Sequence, residues 1–276
     1  MSEAHDIARA AQDEVLYETA DGIAVITLNA PGRMNTISGP MLRRLTELLV
    51  EADEDREVRC VILTGRGRAF CAGLNLEEVR SGTGITGVGA GNAALTATLD
   101  LRNTPPTVLH AMDTPTICAV NGGAAGYGMD TALGCDIRLM ADTAKMAAAF
   151  TKRGLVPESG GTWFLPRMIG WSRAAELIFT GRTLSAEETV AWGLASRVVP
   201  AASLMEEARA LAREIADNAP LAVQASKRMM RMGLNEPFPE HVHHVYLQLL
   251  PLMRSEDLKE GMMAFLEKRK PEFTGR

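Results

Sequence analysis

The chain has 276 residues, 46% of them apolar and 23% charged, which is ample material for a packed core and excludes disorder as the main state. Acidic residues outnumber basic ones 34 to 29, a net charge of −5 that leaves no cationic surplus for wrapping a nucleic-acid backbone or coating an anionic membrane. At ~150 residues per domain the length suits two domains, or one larger α/β domain with an appendage. The longest uncharged stretch, from Ser81 up to Asp100, is mostly Gly, Ala and Thr, so no apolar run is fit to cross a bilayer. The opening residues lack the basic-then-apolar order of a secretory signal. Cys60, Cys71, Cys118 and Cys135 show no Cys-x-x-Cys spacing and read as buried thiols of a cytoplasmic protein.

Along the chain, Val15 to Pro31 reads as two strands turned at Ala20-Asp21-Gly22, since Asp-Gly between alternating apolar residues is a hairpin signal. A helix follows, with Ser38 as N-cap, Pro40 in its first turn, and Met41, Leu45, Leu48 and Ala52 on one face. The charged run Asp53 to Glu57 ends it. "VRCVILTG" and "TICAVNGG" are nearly continuous apolar runs, the pattern of strands buried on both faces in a parallel sheet, and "CDIRLMA" and "KMAAAF" come after them. The class predicted is α/β, doubly wound or solenoid-like, from repeated strand–helix units. From Ser185 onward helices dominate: Ser185-x-x-Glu188 and Ser203-x-x-Glu206 are capping-box patterns, and Gly193 and Gly233 stand where C-terminal caps are expected.

Some strings mislead. Gly82-x-Gly84-x-x-Gly87 matches a dinucleotide fingerprint but follows a helix-like segment where a strand is needed, so a glycine loop is the better reading. No P-loop and no Gly-x-Ser-x-Gly elbow occurs. His5 lies in the terminal segment and His110 in a helix-like stretch. His241, His243 and His244 are spaced for a metal, but no carboxylate or cysteine stands at ligand spacing, so a helix-start cluster is preferred.

Two segments share one grammar of buried strand, small-residue turn and helix: "CVILTGRGRAFCAGLNLEEV" and "TICAVNGGAAGYGMDTALGCD". In each a glycine (Gly73, Gly126) allows a tight turn that leaves the next amide, Leu74 or Tyr127, pointing outward at a helix start. Two such amides facing one point would form an oxyanion hole; the alternative is a pair of ordinary strand–helix turns. A third glycine turn, "RGLVPESGGTWFLPRMIG", carries a carboxylate.

With "NAPGRMNTIS" and "LSAEETVAWGLASRVV", and with "EGMMAFLEKRKPEF" near the end, these segments resemble the enoyl-CoA hydratase/isomerase (crotonase) family in order and spacing. The likeness starts at about residue 14, leaving 1–13 as a flexible N-terminus. It implies a crotonase-like spiral of β-β-α turns over 14–200 as the acyl-CoA-binding catalytic core and a helical oligomerisation region over 201–276. It further implies a homotrimer or dimer of trimers, an acyl-CoA thioester as substrate, no metal, and no cofactor apart from the coenzyme A of the substrate. Membrane and nucleic acid are not expected partners.

Carried over residue by residue, the resemblance implies that the backbone N–H groups of Leu74 and Tyr127 hold the thioester enolate. Arg33 and Met34 run along coenzyme A, the turn Ala72-Gly73-Leu74 receives its adenine–pantetheine bend, Gly126 opens the second turn, and Phe265 and Lys268 reach its nucleotide. Arg33 is otherwise a solvated turn arginine, and Lys268 part of a basic helix end. The sequence departs from the family's hydratases at their two glutamates, where it has Asp130 and Phe150. Glu158 stands where several of the family's isomerases carry a single catalytic acid, with Phe150, Leu155 and Trp163 expected to surround it and raise its pKa. Glu158 is therefore the expected base with Asp130 as helper, and isomerisation is preferred to hydration. Alternatively Glu158 is a surface acid, Asp130 a dipole-complementing one, and the chain an idle acyl-CoA-binding trimer.

Overall fold

The computed structural model describes residues 14–75, 77 and 104–276. The hairpin forms as predicted between β1 (Val15–Ala20) and β2 (Ile23–Leu28). Ala20 pairs with Ile23, and Asp21 and Gly22 both take positive φ, the two-residue turn that matches strand twist. Helix α1 (Gly39–Glu54) starts at Ser38, whose hydroxyl accepts the Met41 N–H at 3.2 Å, a cap that contributes about 1 kcal/mol. Met41, Leu45, Leu48 and Ala52 are buried along its inner face.

From there the chain repeats one unit. β3 (Cys60–Gly65) runs into β4 (Ala69–Cys71); after helix α2 (Pro105–Ala111), β5 (Thr116–Val120) runs into β6 (Gly123–Ala125) and helix α3 (Tyr127–Gly134). β7 (Ile137–Ala141) then runs into β8 (Lys145–Ala147) and helix α4 (Gly161–Thr180). The first strand of each unit joins a six-stranded sheet, order β1-β2-β3-β5-β7-β10, and the second joins a four-stranded sheet, order β4-β6-β8-β9. β9 is Thr183–Ser185 and β10 is Arg197–Val199, with helix α5 (Ala186–Ala191) between them. Pairing from β2 to β10 in the larger sheet is parallel throughout, which is why β3 and β5 are apolar on both faces and buried. This stacking of repeated units is the expected spiral. All four cysteines are free and buried within it.

Helix α6 (Leu204–Ala216) lies on the six-stranded sheet through buried Leu204, Ala208, Ala212 and Ala216. α6 thus packs with the core although it lies past residue 200, because its alanine face fits the sheet closely. Beyond it come α7 (Pro220–Gly233), α8 (Phe238–Leu252) and α9 (Glu256–Glu267). Ion pairs tie α7 back to the core, Lys227 to Asp136 at 2.8 Å and Arg228 and Arg231 to Asp113.

The capping signals divide. Ser185 and Glu188 make the reciprocal box at α5, and Gly193 takes φ +86 just after that helix. Ser203 makes no such bond, because its backbone is already helical in a short 3-10 turn ahead of α6. Gly233 is the last helical residue of α7 and not a left-handed cap. A Cβ there would lie 3.0 Å from the His241 ring, so this glycine serves the close approach of α7 to α8.

Candidate active site

The two glycine turns are brought together by contacts that only glycine tolerates. A Cβ on Gly128 would sit 2.2 Å from the Cys71 carbonyl oxygen, so the first turn of α3 rests on the end of β4. Gly73 is needed for its backbone, at φ +107, and is also tightly placed: a Cβ there would lie 3.1 Å from the Ala125 oxygen and 3.9 Å from the Tyr127 nitrogen. Leu74 follows Gly73 directly, so the two predicted donors belong to touching turns. Tyr127 is the first residue of α3, where a backbone N–H has no partner inside its own helix. Among the described residues neither the Leu74 nor the Tyr127 N–H has a hydrogen-bond acceptor in the protein.

The first turn is stapled to the segment before α1. Ala72 N–H donates to the Met34 carbonyl, Ile37 N–H to Gly73 and Asn75 N–H to Ile37. Two side-chain amides that sequence reasoning passed over, Asn35 buried and Asn121 part-exposed, hold the loop beneath. Asn35, at φ +53, accepts the Ala30 N–H and donates to the Arg66 and Ala69 carbonyls. Asn121 accepts the Gly65 N–H and donates to Gly67 and Ala69. Each asparagine follows a strand closely in sequence, a signal that becomes readable once the strands are known to be neighbours. The far end of α3 is held by the buried Arg138 guanidinium, which donates to the Ala132, Leu133 and Cys135 carbonyls.

Asp130 lies in the first turn of α3 and Glu158 in the loop before α4, near enough for the charge of Glu158 to act on Asp130. Asp130 is fully buried, its Oδ2 accepts the Gly161 N–H at 3.2 Å, and its Oδ1 has no partner among the described residues. Burial pushes the Asp130 carboxyl up to about 7 and the charge of Glu158 adds to this, against hydrogen bonds from the Gly161 and Ser159 backbone. Glu158 lines a cavity of about 200 Å³ with Pro106, Thr107, His110, Ser159, Trp163 and Phe164, and is its one carboxylate among the described residues. Glu158 is solvent-accessible as a residue, yet burial of its carboxyl is the largest influence and holds it above the ordinary glutamate range. Its expected surround is only partly met. Trp163 shares the cavity, Phe150 is buried with its ring 3.9 Å from where a Gly126 Cβ would be, and Leu155 is 47% exposed.

The positions expected to touch coenzyme A fall into two groups. Met34, Ala72, Gly73 and Gly126 lie in or beside the paired turns. Arg33 is part-exposed and already paired: its Nη1 pairs with Glu14 at 2.7 Å and its Nε donates to the Thr36 carbonyl. Phe265 and Lys268 are exposed at the end of α9, and Lys268 takes a left-handed φ of +54.

The histidine cluster does have a carboxylate. Glu236 Oε2 lies 3.3 Å from His241 Nδ1 and 3.0 Å from His244 Nδ1, brought there by the turn between α7 and α8. No group of three potential ligands is arranged for a metal among the described residues, and none of their helices is long and apolar enough to cross a membrane. The Gly82 to Gly91 loop and His5 lie outside the described residues.

Comparison with known proteins places the chain in a family. A family model described as enoyl-CoA hydratase/isomerase matches residues 18–276. The chain is 36% identical over 264 residues to the 1,2-epoxyphenylacetyl-CoA isomerase of Escherichia coli K12, covering 95% of this chain and 98% of that one. It is 35% identical over 263 residues to the (E)-benzylidenesuccinyl-CoA hydratase of Thauera aromatica, covering 95% and 99%. The crystal structure of an enoyl-CoA hydratase from Bacillus anthracis superposes with a TM-score of 0.87 at 33% identity, covering 95% of this chain and all of the other. Paired glycine turns, spiral stacking and a match over nearly the whole length agree, and the chain belongs to the enoyl-CoA hydratase/isomerase family, with the crotonase fold and as an enzyme acting on acyl-CoA.

Proposed function

We propose that this enzyme moves the double bond of an enoyl-CoA thioester, with Glu158 as base and the N–H groups of Leu74 and Tyr127 as the oxyanion hole. Ionised Glu158 removes a proton from C2 of a 3-enoyl thioester, and the electron pair passes into the thioester carbonyl. The resulting oxyanion is stabilised by two amides already pointed at it, with no reorganisation during the step. Glu158, now protonated, returns the proton at C4 and the conjugated 2-enoyl thioester forms. One observation carries the reading: Glu158 is the one carboxylate among the described residues that line the cavity of about 200 Å³, while Asp130 is sealed from solvent and Phe150 fills the place of a second acid. A raised carboxyl pKa suits a base that must also give its proton back. In this scheme Asp130 acts on Glu158 by charge and by holding the Gly161 amide, without touching substrate. Coenzyme A runs past Met34 and Ala72, with Lys268 and Phe265 as nucleotide contacts and Arg33 available once its pairing with Glu14 is exchanged for phosphate. No other cofactor takes part.

Hydration is the second reading. The electrostatic coupling of Asp130 to Glu158 favours it, since two carboxyls are needed to hold and activate a water. Assembly as a homotrimer or dimer of trimers is part of the proposal, supported by α8, a largely apolar helix that buries none of its residues within one chain.

The test follows ultraviolet absorbance of the conjugated thioester. A gain with 3-enoyl-CoA supports isomerisation, a loss with 2-enoyl-CoA supports hydration, and binding without change supports an idle binder. Glu158→Gln is expected to lower isomerisation by about a thousandfold while thioester affinity stays within a few-fold. Undiminished activity in that variant would overturn the assignment.

A further inference from the structure

Two cavities meet at one wall. The cavity beside Glu158 holds about 200 Å³, and behind it a cleft of about 840 Å³ lies between α4 and α7. Three residues line both: His110, Trp163 and Phe164. Their rings form a closed set of edge-to-face contacts, His110 to Trp163 at 5.0 Å, His110 to Phe164 at 5.4 Å and Trp163 to Phe164 at 5.2 Å.

Resting on the acyl-CoA reading above, we propose that this aromatic partition sets the length of acyl group the enzyme accepts, and that Trp163 is its specificity-determining residue. The near cavity is smaller than the ~300 Å³ at which pockets for drug-sized ligands begin, so it suits a short or single-ring acyl group. The far cleft is large enough for an aliphatic tail and presents Leu133, Ile137, Met168, Val223 and Met230. Access from one to the other requires that a ring give way. Phe164 is fixed, since it is 6% exposed and its ring lies 2.7 Å from where a Gly160 Cβ would be. Trp163 is half-buried and braced from the cleft side by Arg167, whose guanidinium sits 4.1 Å above the indole and whose Nη1 donates to the Trp163 carbonyl. Removing the indole opens the partition without disturbing the buried ring beside it.

The experiment measures affinities of butanoyl-, hexanoyl-, octanoyl-, decanoyl- and dodecanoyl-CoA by calorimetry for wild type, Trp163→Ala, Trp163→Leu and the double variant Trp163→Ala with Ala222→Phe. Saturated thioesters separate binding from turnover. Wild type is expected to gain nothing beyond the shorter members. Trp163→Ala should gain about fourfold per added methylene as the tail enters the cleft, and Ala222→Phe should reverse this by refilling it. Trp163→Leu carries the same test if the alanine variant does not fold. A length profile unchanged between wild type and a folded Trp163 variant would overturn the partition. Failure of wild type to bind any of the thioesters would instead overturn the acyl-CoA reading on which it rests.

Discussion

Helices α3 and α8 are opposite extremes in one chain. All 8 residues of α3 are buried, Asp130 included, whereas α8 has 15 residues and buries none, leaving Phe238, Tyr246 and Leu247 exposed. The difference follows from what each helix must do. α3 starts against the other glycine turn, so its neighbours approach to the limit that glycine allows and Arg138 binds its far end. α8 makes its contacts within the chain mainly with α7 and keeps its apolar side chains facing outward, the composition of a surface that another protein covers. Rigidity at the first helix and unspent apolar surface at the second are two results of the same packing rules.

Three variants would break or sharpen that contrast. The largest effect is expected from Gly128→Ala, which forces a methyl group into the Cys71 carbonyl. It should cost about 3 kcal/mol, a fall in melting temperature of roughly ten degrees, and lower turnover about a hundredfold as the two amides separate. A normal melting curve with normal turnover would show that the turns tolerate separation. A smaller effect is expected from Leu247→Glu combined with Leu250→Glu on α8: sedimentation velocity should show a shift to smaller species, with far-ultraviolet circular dichroism of the chain unchanged. An unaltered mass would remove α8 from the assembly face.

The smallest effect is electrostatic. Because the Asp130 carboxyl is raised to about 7 on folding, the folded chain keeps a proton that the unfolded chain has released at lower pH. That contribution to stability is complete below the ordinary aspartate value and is lost as pH rises through about 7. Asp130→Asn, which keeps an acceptor for the Gly161 N–H, should therefore melt above wild type at about pH 8, with the gap narrowing as pH falls below about 7 and closing near about pH 4. A gap that does not change with pH would mean that Asp130 is not held protonated.

Much of the core was readable beforehand because its signals are local. Asp21-Gly22 specifies its turn through its own backbone preferences, Ser38 caps a helix three residues ahead, and continuous apolar runs mark β3 and β5 as buried on both faces. The parts that escaped depend on partners far along the chain. Asn121 serves a turn more than fifty residues earlier, Glu14 neutralises Arg33 across the β1–β2 hairpin, and α6 looks like an appendage until its alanines meet the sheet. The histidine cluster is a local case: it sits at the start of α8, with Glu236 only five and eight residues before His241 and His244.

Amino-acid order by itself thus determined the hairpin, the strand–turn–helix grammar and the candidates Leu74, Tyr127 and Glu158, because propensity, periodicity and glycine content act over a few residues. Only tertiary structure decided that the two turns touch, that Asp130 is sealed while Glu158 lines a cavity, and that an aromatic wall divides that cavity from a larger cleft. Those outcomes rest on distances between residues remote in sequence, set by close packing at Gly73 and Gly128 that no local pattern records.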